Sequence, residues 1–395
     1  MNRLTVALVL AAAGGLAGTA TAAPIQINGA GATFPYPIYS KWFSEYNKLH
    51  PDIQINYQSI GSGGGIRQLT NQTVFFGATD GPMTNDQIQA AGAKVLHLPT
   101  VLGAVVPIYE LPGVSTPLRF SGPLLADIFL GKVTKWNDPA LTAENPGVSL
   151  PAADITVVHR SDGSGTSYIW ADYLAKVSPE WSKKVGVATA VNWPVGVGGK
   201  GNEGVAGLVK QTPNSIGYVE LIYALQNKIP YGAVKNASGE YVRASIDAVT
   251  AAAAATEGKM PPDFRVSITN APGKDVYPIA SFTWLLLYES PSDKARSKAM
   301  VDFVKWALAD GQKFASDLGY APLPASVVKM EQATIDKVKP DEKFHVQLGR
   351  SIIVRYATTP DAQDRVRART MAAFELEQQG RIAYDRRARS LNPAV

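Results

Sequence analysis

The chain contains no cysteine in 395 residues. Disulfides, thiolate zinc sites, thiol nucleophiles and a lipidated N-terminal cysteine are therefore excluded. Histidine is nearly as scarce. His50, His97, His159 and His345 are the whole set, with no HExxH and no paired spacing, so no histidine-built metal centre is expected. Long apolar runs are missing after the first segment. There, Arg3 precedes an apolar stretch from Leu4 to Ala17, and Thr19-Ala20-Thr21-Ala22 closes it with an Ala-x-Ala pattern. This is the grammar of a secretory signal peptide, too short and too glycine-broken for a membrane span. Residues 1–22 are assigned to it, with cleavage near Ala22. The remainder is expected to be exported, into a bacterial periplasm.

The body also lacks an excess of either charge. The net charge is +5, but residues 341–395 hold nine of the sixteen arginines, one of the twenty-two lysines and a net +3. Residues 23–340 are left at +1. A near-neutral body argues against a nucleic-acid footprint. The abrupt change from Lys to Arg marks 341–395 as a separate Arg-rich C-terminal extension. It reads as helical from Asp361 to about Ala388, with mixed charges suited to a solvated face.

Apolar residues (46%) and charged residues (18%) are present in the proportions of a globular protein, long enough for two or three domains. Strand patterns occur at Ile25–Ile27, Ile53–Tyr57, Val74–Ala78, Ala104–Ile108, Ile155–Arg160, Ile216–Glu220 and Tyr277–Tyr288. Helical patterns lie between them. Ile38, Tyr39, Trp42, Phe43, Tyr46 and Leu49 share one face until Pro51, and another helix begins at Ile66. Further helices read at Leu124–Leu130, Ile169–Val177, 251–255 and Met300–Ala307. The alternation predicts an α/β protein with mixed sheets flanked by helices.

Three loops share one design: 29–34, 61–65 and 161–166. Each follows a strand, is rich in Gly, Ser and Thr, and meets a helix. Backbone N–H groups at a helix N-terminus attract anions, phosphate above all. The nucleotide motifs fail, because Gly199-Lys200 is followed by Gly201 and the 29–34 loop lacks the third glycine of the dinucleotide fingerprint. No cofactor is expected. Ser164, between Gly163 and Gly165, is a conceivable nucleophile, but no Gly-x-Ser-x-Gly elbow surrounds it. His159 nearby reads as a structural residue.

Several longer stretches carry a resemblance. Gly29-Ala30-Gly31-Ala32-Thr33-Phe34-Pro35, Gly61-Ser62-Gly63-Gly64-Gly65, Phe76–Pro82 and Arg160–Ser167 are among them. So are Gly131–Trp136, Trp193–Asn202 and Ser215–Glu220. In this order they are similar to the periplasmic phosphate-binding proteins of bacterial ABC phosphate importers, over about residues 25–335. The resemblance implies a two-domain clamshell of the type II periplasmic binding proteins, with phosphate in the cleft. Domain I would comprise 23–106 and 279–340, and domain II 107–278, with crossings near 106 and 278. It implies that domain I supplies Thr33, the Phe34 amide, Ser62 and Asp80. Domain II would supply Arg160, Ser164, the Gly165 amide and Thr166, with Asp162 holding Arg160. Gly63 stands where the family commonly has a second serine. A monomeric, non-enzymatic carrier is implied, with an ABC permease and its ATPase as partners.

Asp80 is the unexpected group in an anion site. It makes sense if the ligand carries a proton, as both forms of phosphate near neutral pH do and sulfate does not. An unmade charged hydrogen bond costs several kcal/mol, enough for roughly 10³–10⁵-fold discrimination. Left to itself, Asp80 reads equally as a turn or capping residue. Three alternatives stay open at this point. One is a secreted phosphatase using Ser164. Another is a carrier of other oxyanions. The third is an interaction protein acting through its basic tail. Lys132 and Lys135 read as solvated lip residues, and Trp193-Pro194 as a shaping loop near the cleft.

Overall fold

A computed structural model describes residues 23–256 and 258–339. The expected signal segment and the expected C-terminal extension, with its helix, both lie outside the described residues. The strands in chain order are β1 (Ile25–Gly31), β2 (Ile53–Ser59), β3 (Phe76–Thr79), β4 (Val95–Glu110), β5 (Arg119–Phe120) and β6 (Thr156–Arg160). They continue as β7 (Val197–Gly199), β8 (Ser215–Glu220), β9 (Ala233–Lys235), β10 (Tyr241–Val242) and β11 (Ala280–Tyr288). Eight of them form one mixed sheet, in the order β2-β1-β3-β11-β4-β8-β6-β7, and β10-β9-β5 form a small second sheet.

The long strand β4 joins the two halves of the large sheet. Its first part pairs antiparallel with β11 as far as Ala104, and from Val105 onward it pairs with β8. All but the last of its residues are buried, which explains why it reads as a continuous apolar run rather than an alternating one. It is much longer than the Ala104–Ile108 segment expected from the sequence. Pro99 hides the extension, because proline lacks the N–H of a ladder and usually marks a strand edge or bulge. A register shift occurs there, between Thr283 and Trp284 of β11. Thr100 beside it donates to the Thr283 carbonyl at 3.2 Å, which keeps the irregular region hydrogen-bonded.

Helices pack on the sheet as their periodicity predicts. Tyr36–Leu49 buries Ile38, Tyr39, Trp42, Phe43 and Tyr46, and ends before Pro51. Each such side chain contributes roughly 1.5–3 kcal/mol on burial. Tyr39, Phe43, Tyr57, Phe76 and Phe303 form one aromatic core. Phe129, Trp170, Trp193 and Tyr218 form another, with Trp170 stacked on Tyr218 at 5.0 Å.

Two local expectations need correction. The second helix begins at Ser62, not Ile66, so Gly63–Gly65 are its first turns. The packing explains their smallness. A Cβ on Gly65 would strike the backbone of Ala30, Gly31 and Ala78. The first Gly-rich loop is likewise shorter than it reads, because Gly29–Gly31 belong to β1 and pair with both β2 and β3.

Candidate functional site

The expected site residues converge where the two halves of the sheet meet. Thr33 and Phe34 follow β1. Ser62 opens its helix after β2, with Gly61 at a positive φ of 84° as the residue before it. Asp80 follows β3 directly. From the other half, Arg160 ends β6, and Ser164, Gly165 and Thr166 start helix Gly165–Val177. Thr33, Ser62, Asp80, Arg160, Ser164 and Thr166 are all buried. The two lips touch, since the Gly63 N–H donates to the Gly163 carbonyl at 2.9 Å. A Cβ on Gly165 would collide with Ser62 Oγ and Asp80 Oδ2, so only glycine lets these elements approach.

The charges are arranged with economy. Arg160 makes a bidentate pair with Asp162, Nε to Oδ1 at 2.7 Å and Nη2 to Oδ2 at 2.6 Å. Asp162 Oδ1 also accepts the Gly201 N–H at 3.0 Å. Burial pulls the Asp162 carboxyl up, but the Arg160 hydrogen bonds and charge outweigh it and hold the group below its ordinary value. Among the described residues Arg160 Nη1 has no hydrogen-bond partner although it is buried.

Asp80 is 1% exposed. Its Oδ1 accepts from Thr283 Oγ1 at 2.8 Å, while Oδ2 has no partner. Burial pushes the carboxyl up to about 7, against the opposing pull of the Thr283 hydrogen bond and the Arg160 charge. Asp80 is therefore not the capping residue it resembles in sequence. Thr84 caps the next helix.

The hydroxyls are engaged mainly as acceptors from backbone N–H groups. Ser62 Oγ accepts from the Asp80 N–H at 3.2 Å. Ser164 Oγ accepts from the Ser167 N–H at 3.0 Å as a helix N-cap. Each hydroxyl keeps a proton to give.

Residues that did not stand out in the sequence complete the surroundings. Tyr57, Tyr223 and Tyr320 donate to three successive carbonyls, those of Ala32, Thr33 and Phe34, at 2.7, 2.5 and 2.6 Å. The C=O and N–H of a trans peptide unit point in opposite directions. The amides of Thr33 and Phe34 are thus turned away from the tyrosines. Asn202 contacts Thr33 and Thr166. Glu220, fully buried at the end of β8, caps the following helix through Oε2 and leaves Oε1 without a partner. Burial holds its carboxyl well above the ordinary range. Local pattern could flag only Asn202 and Glu220, which close the Trp193–Asn202 and Ser215–Glu220 stretches. The tyrosines come from distant elements and carry no local signal.

His159 is structural, as read. Its ring stacks on Trp193 at 4.9 Å and its Nδ1 lies 3.1 Å from the Arg160 carbonyl. Trp193 itself packs, half-buried, against Phe129, Trp181 and Tyr218 at the edge of the second half's core. Lys132 and Lys135 are exposed but not purely solvated: Lys132 pairs with Asp127 and Glu180, and Lys135 with Asp154.

Residues 18–310 match the family model of the PBP superfamily domain. The phosphate-binding protein PstS of Xylella fastidiosa (strain 9a5c) is 49% identical over 310 residues, or 78% of this chain and 84% of that protein. The chain belongs to the PstS phosphate-binding protein family. The PstS protein of Pasteurella multocida (strain Pm70) is 45% identical over 308 residues, covering 78% and 89% of the two chains. Among solved structures, a high-affinity periplasmic phosphate-binding protein (PfluDING) bound with phosphate superposes with a TM-score of 0.64. It is 20% identical, and the match covers 78% of this chain and 93% of that one. At that identity the likeness to the solved structure is one of fold. The PstS family membership rests on the sequence relatives.

Proposed function

We propose that this protein captures inorganic phosphate in the periplasm and presents it to an ABC import permease. Phosphate bridges domain I (23–106 and 279–340) and domain II (107–278), and favours the closed state because it touches both. Thr33, the Phe34 amide, Ser62 and Asp80 contact it from one side. Arg160, Ser164, the Gly165 amide and Thr166 contact it from the other.

One observation carries this reading. Asp80 Oδ2 and Arg160 Nη1, from opposite halves, are both buried and both lack a hydrogen-bond partner among the described residues. A buried charged group without a partner costs more than 1–3 kcal/mol. A protonated oxyanion answers both. Its oxygens accept from the guanidinium, and its O–H donates to the carboxylate. Sulfate offers nothing to Asp80, so phosphate is preferred.

The same geometry disfavours the phosphatase alternative. Ser164 Oγ is engaged as an N-cap, and His159 is held by Trp193 and a backbone carbonyl. Neither is placed as a nucleophile and base. The test is calorimetry on refolded, phosphate-stripped mature protein, titrated with phosphate and then sulfate. Tight one-to-one phosphate binding without a sulfate response is expected. Equal binding of the two anions would overturn the role of Asp80, and silence with both would overturn the reading as a whole.

A further inference from the structure

Asn202 is fully buried at the start of helix Gly201–Gln211. Its amide orientation follows from its neighbours. The Glu220 backbone N–H can only donate, and it lies 2.9 Å from Oδ1. The carbonyl end therefore faces β8, and Nδ2 faces the cleft. There Nδ2 lies 2.7 Å from Thr33 Oγ1 and 3.1 Å from Thr166 Oγ1, so each of its two protons has an acceptor. The Asn202 backbone N–H adds a second donor to Thr33 Oγ1, at 3.2 Å.

A hydroxyl has one proton and two lone pairs. Both lone pairs of Thr33 Oγ1 receive N–H donors, so its only remaining capacity is to donate. Thr166 Oγ1 has one lone pair occupied, which biases it the same way. Thr33 follows β1 and Thr166 follows β6, so one amide engages both sides of the cleft. It can do so only when the two sides are together.

We propose that Asn202 is a positioning residue that sets the hydrogen-bond polarity of the cleft, fixing the Thr33 and Thr166 hydroxyls as donors toward the bound oxyanion in the closed state. This rests on the phosphate reading above. In the closed state the two hydroxyls need no reorientation to meet the oxyanion, so less ordering remains to be done at the site. It also isolates Asp80 as the acceptor among these groups, which sharpens its ability to recognise a ligand proton.

The test compares wild type, Asn202→Asp and Asn202→Ala by phosphate calorimetry from pH 5.5 to 8.5. An ionised aspartate accepts from both threonines and reverses their polarity. At pH 8.5, Asn202→Asp is expected to bind at least about 100-fold more weakly than wild type. Its ratio to wild type should recover on acidification, when a protonated carboxyl can donate again. Asn202→Ala is expected to lose about 10-fold, with no pH dependence in its ratio. In a Thr33→Val, Thr166→Val background, Asn202→Ala should cost almost nothing, because its effect runs through those hydroxyls.

A flat Asn202→Asp ratio across pH overturns the polarity role, as does a full loss from Asn202→Ala in the double-valine background. Should Asn202→Asp fail to melt cooperatively, the alanine cycle decides alone. Wild-type protein silent to phosphate would overturn the phosphate reading and this role with it.

Discussion

The two sides of the cleft solve opposite problems. The side built on β6 presents a cation, Arg160, and immediately offsets its charge with Asp162. The side built on β3 presents a carboxyl, Asp80, with no cation in hydrogen-bonding contact and one oxygen unsatisfied. The first is electrostatically finished and needs only a ligand to occupy one nitrogen. The second stays costly until something donates to it. The lesson is that an anion site need not be strongly positive. On the proposed phosphate reading, attraction comes from fixed N–H and O–H dipoles, and selection from the one group that repels unprotonated anions.

The comparison can be broken most forcefully on the Arg160 side. Arg160→Met is expected to lower phosphate affinity by at least about 10³-fold. It should also destabilise the ligand-free protein by about 3 kcal/mol, because Asp162 is left without its counter-charge. Calorimetry and urea unfolding measure the two effects. Retained affinity would show that Arg160 is only structural.

Asp80→Asn attacks the other side. The phosphate-over-sulfate ratio should fall by about 10³-fold, as the amide can donate to sulfate where the carboxylate could not. An unchanged ratio, read by competition calorimetry, would remove Asp80 as the selector.

The same residue makes a pH prediction. Its folded value of about 7 lies above the ordinary 3.8, so its contribution to stability is full below about pH 4 and is lost as pH rises through 7. A displacement of roughly three pH units corresponds to a loss on the order of 4 kcal/mol in the ligand-free protein. Glu220 adds in the same direction. The difference in unfolding free energy between wild type and Asp80→Asn should therefore change across pH 4–7, and a constant difference would contradict the burial argument.

Glu331 offers the mildest test and a control away from the cleft. It is fully buried on helix Ala325–Ile335, and among the described residues neither carboxylate oxygen has a hydrogen-bond partner. Glu331→Leu should raise stability by about 1–2 kcal/mol while phosphate affinity stays within twofold. A large affinity loss would mean that unsatisfied carboxyls matter here wherever they lie, not only at the cleft.

Much of this was legible in the chain. Amphipathic periodicity placed helix Tyr36–Leu49, and Gly-rich stretches after strands marked the three segments that the structure brings together, two of which are partly strand or helix rather than loop. The absence of cysteine excluded thiol chemistry. The expected length of β4 was wrong because proline is normally a strand breaker, and here a bulge at Thr100, beside Pro99, accommodates it. The expected start of the second helix was wrong because glycine reads as loop, whereas close packing on Ala30 and Ala78 requires it inside a helix.

The sequence by itself determined the residue types: an arginine followed two positions later by an aspartate, hydroxyls at helix starts, and a carboxyl after a strand. Such features are local, and local chemistry survives without knowledge of the fold. Only the tertiary structure decided which protons point where. Tyr57, Tyr223 and Tyr320 turn three successive carbonyls aside, and Asn202 ties Thr33 to Thr166 across 133 residues of chain. Hydrogen-bond direction depends on which partners a fold brings within about 3 Å, and no spacing along the chain encodes that.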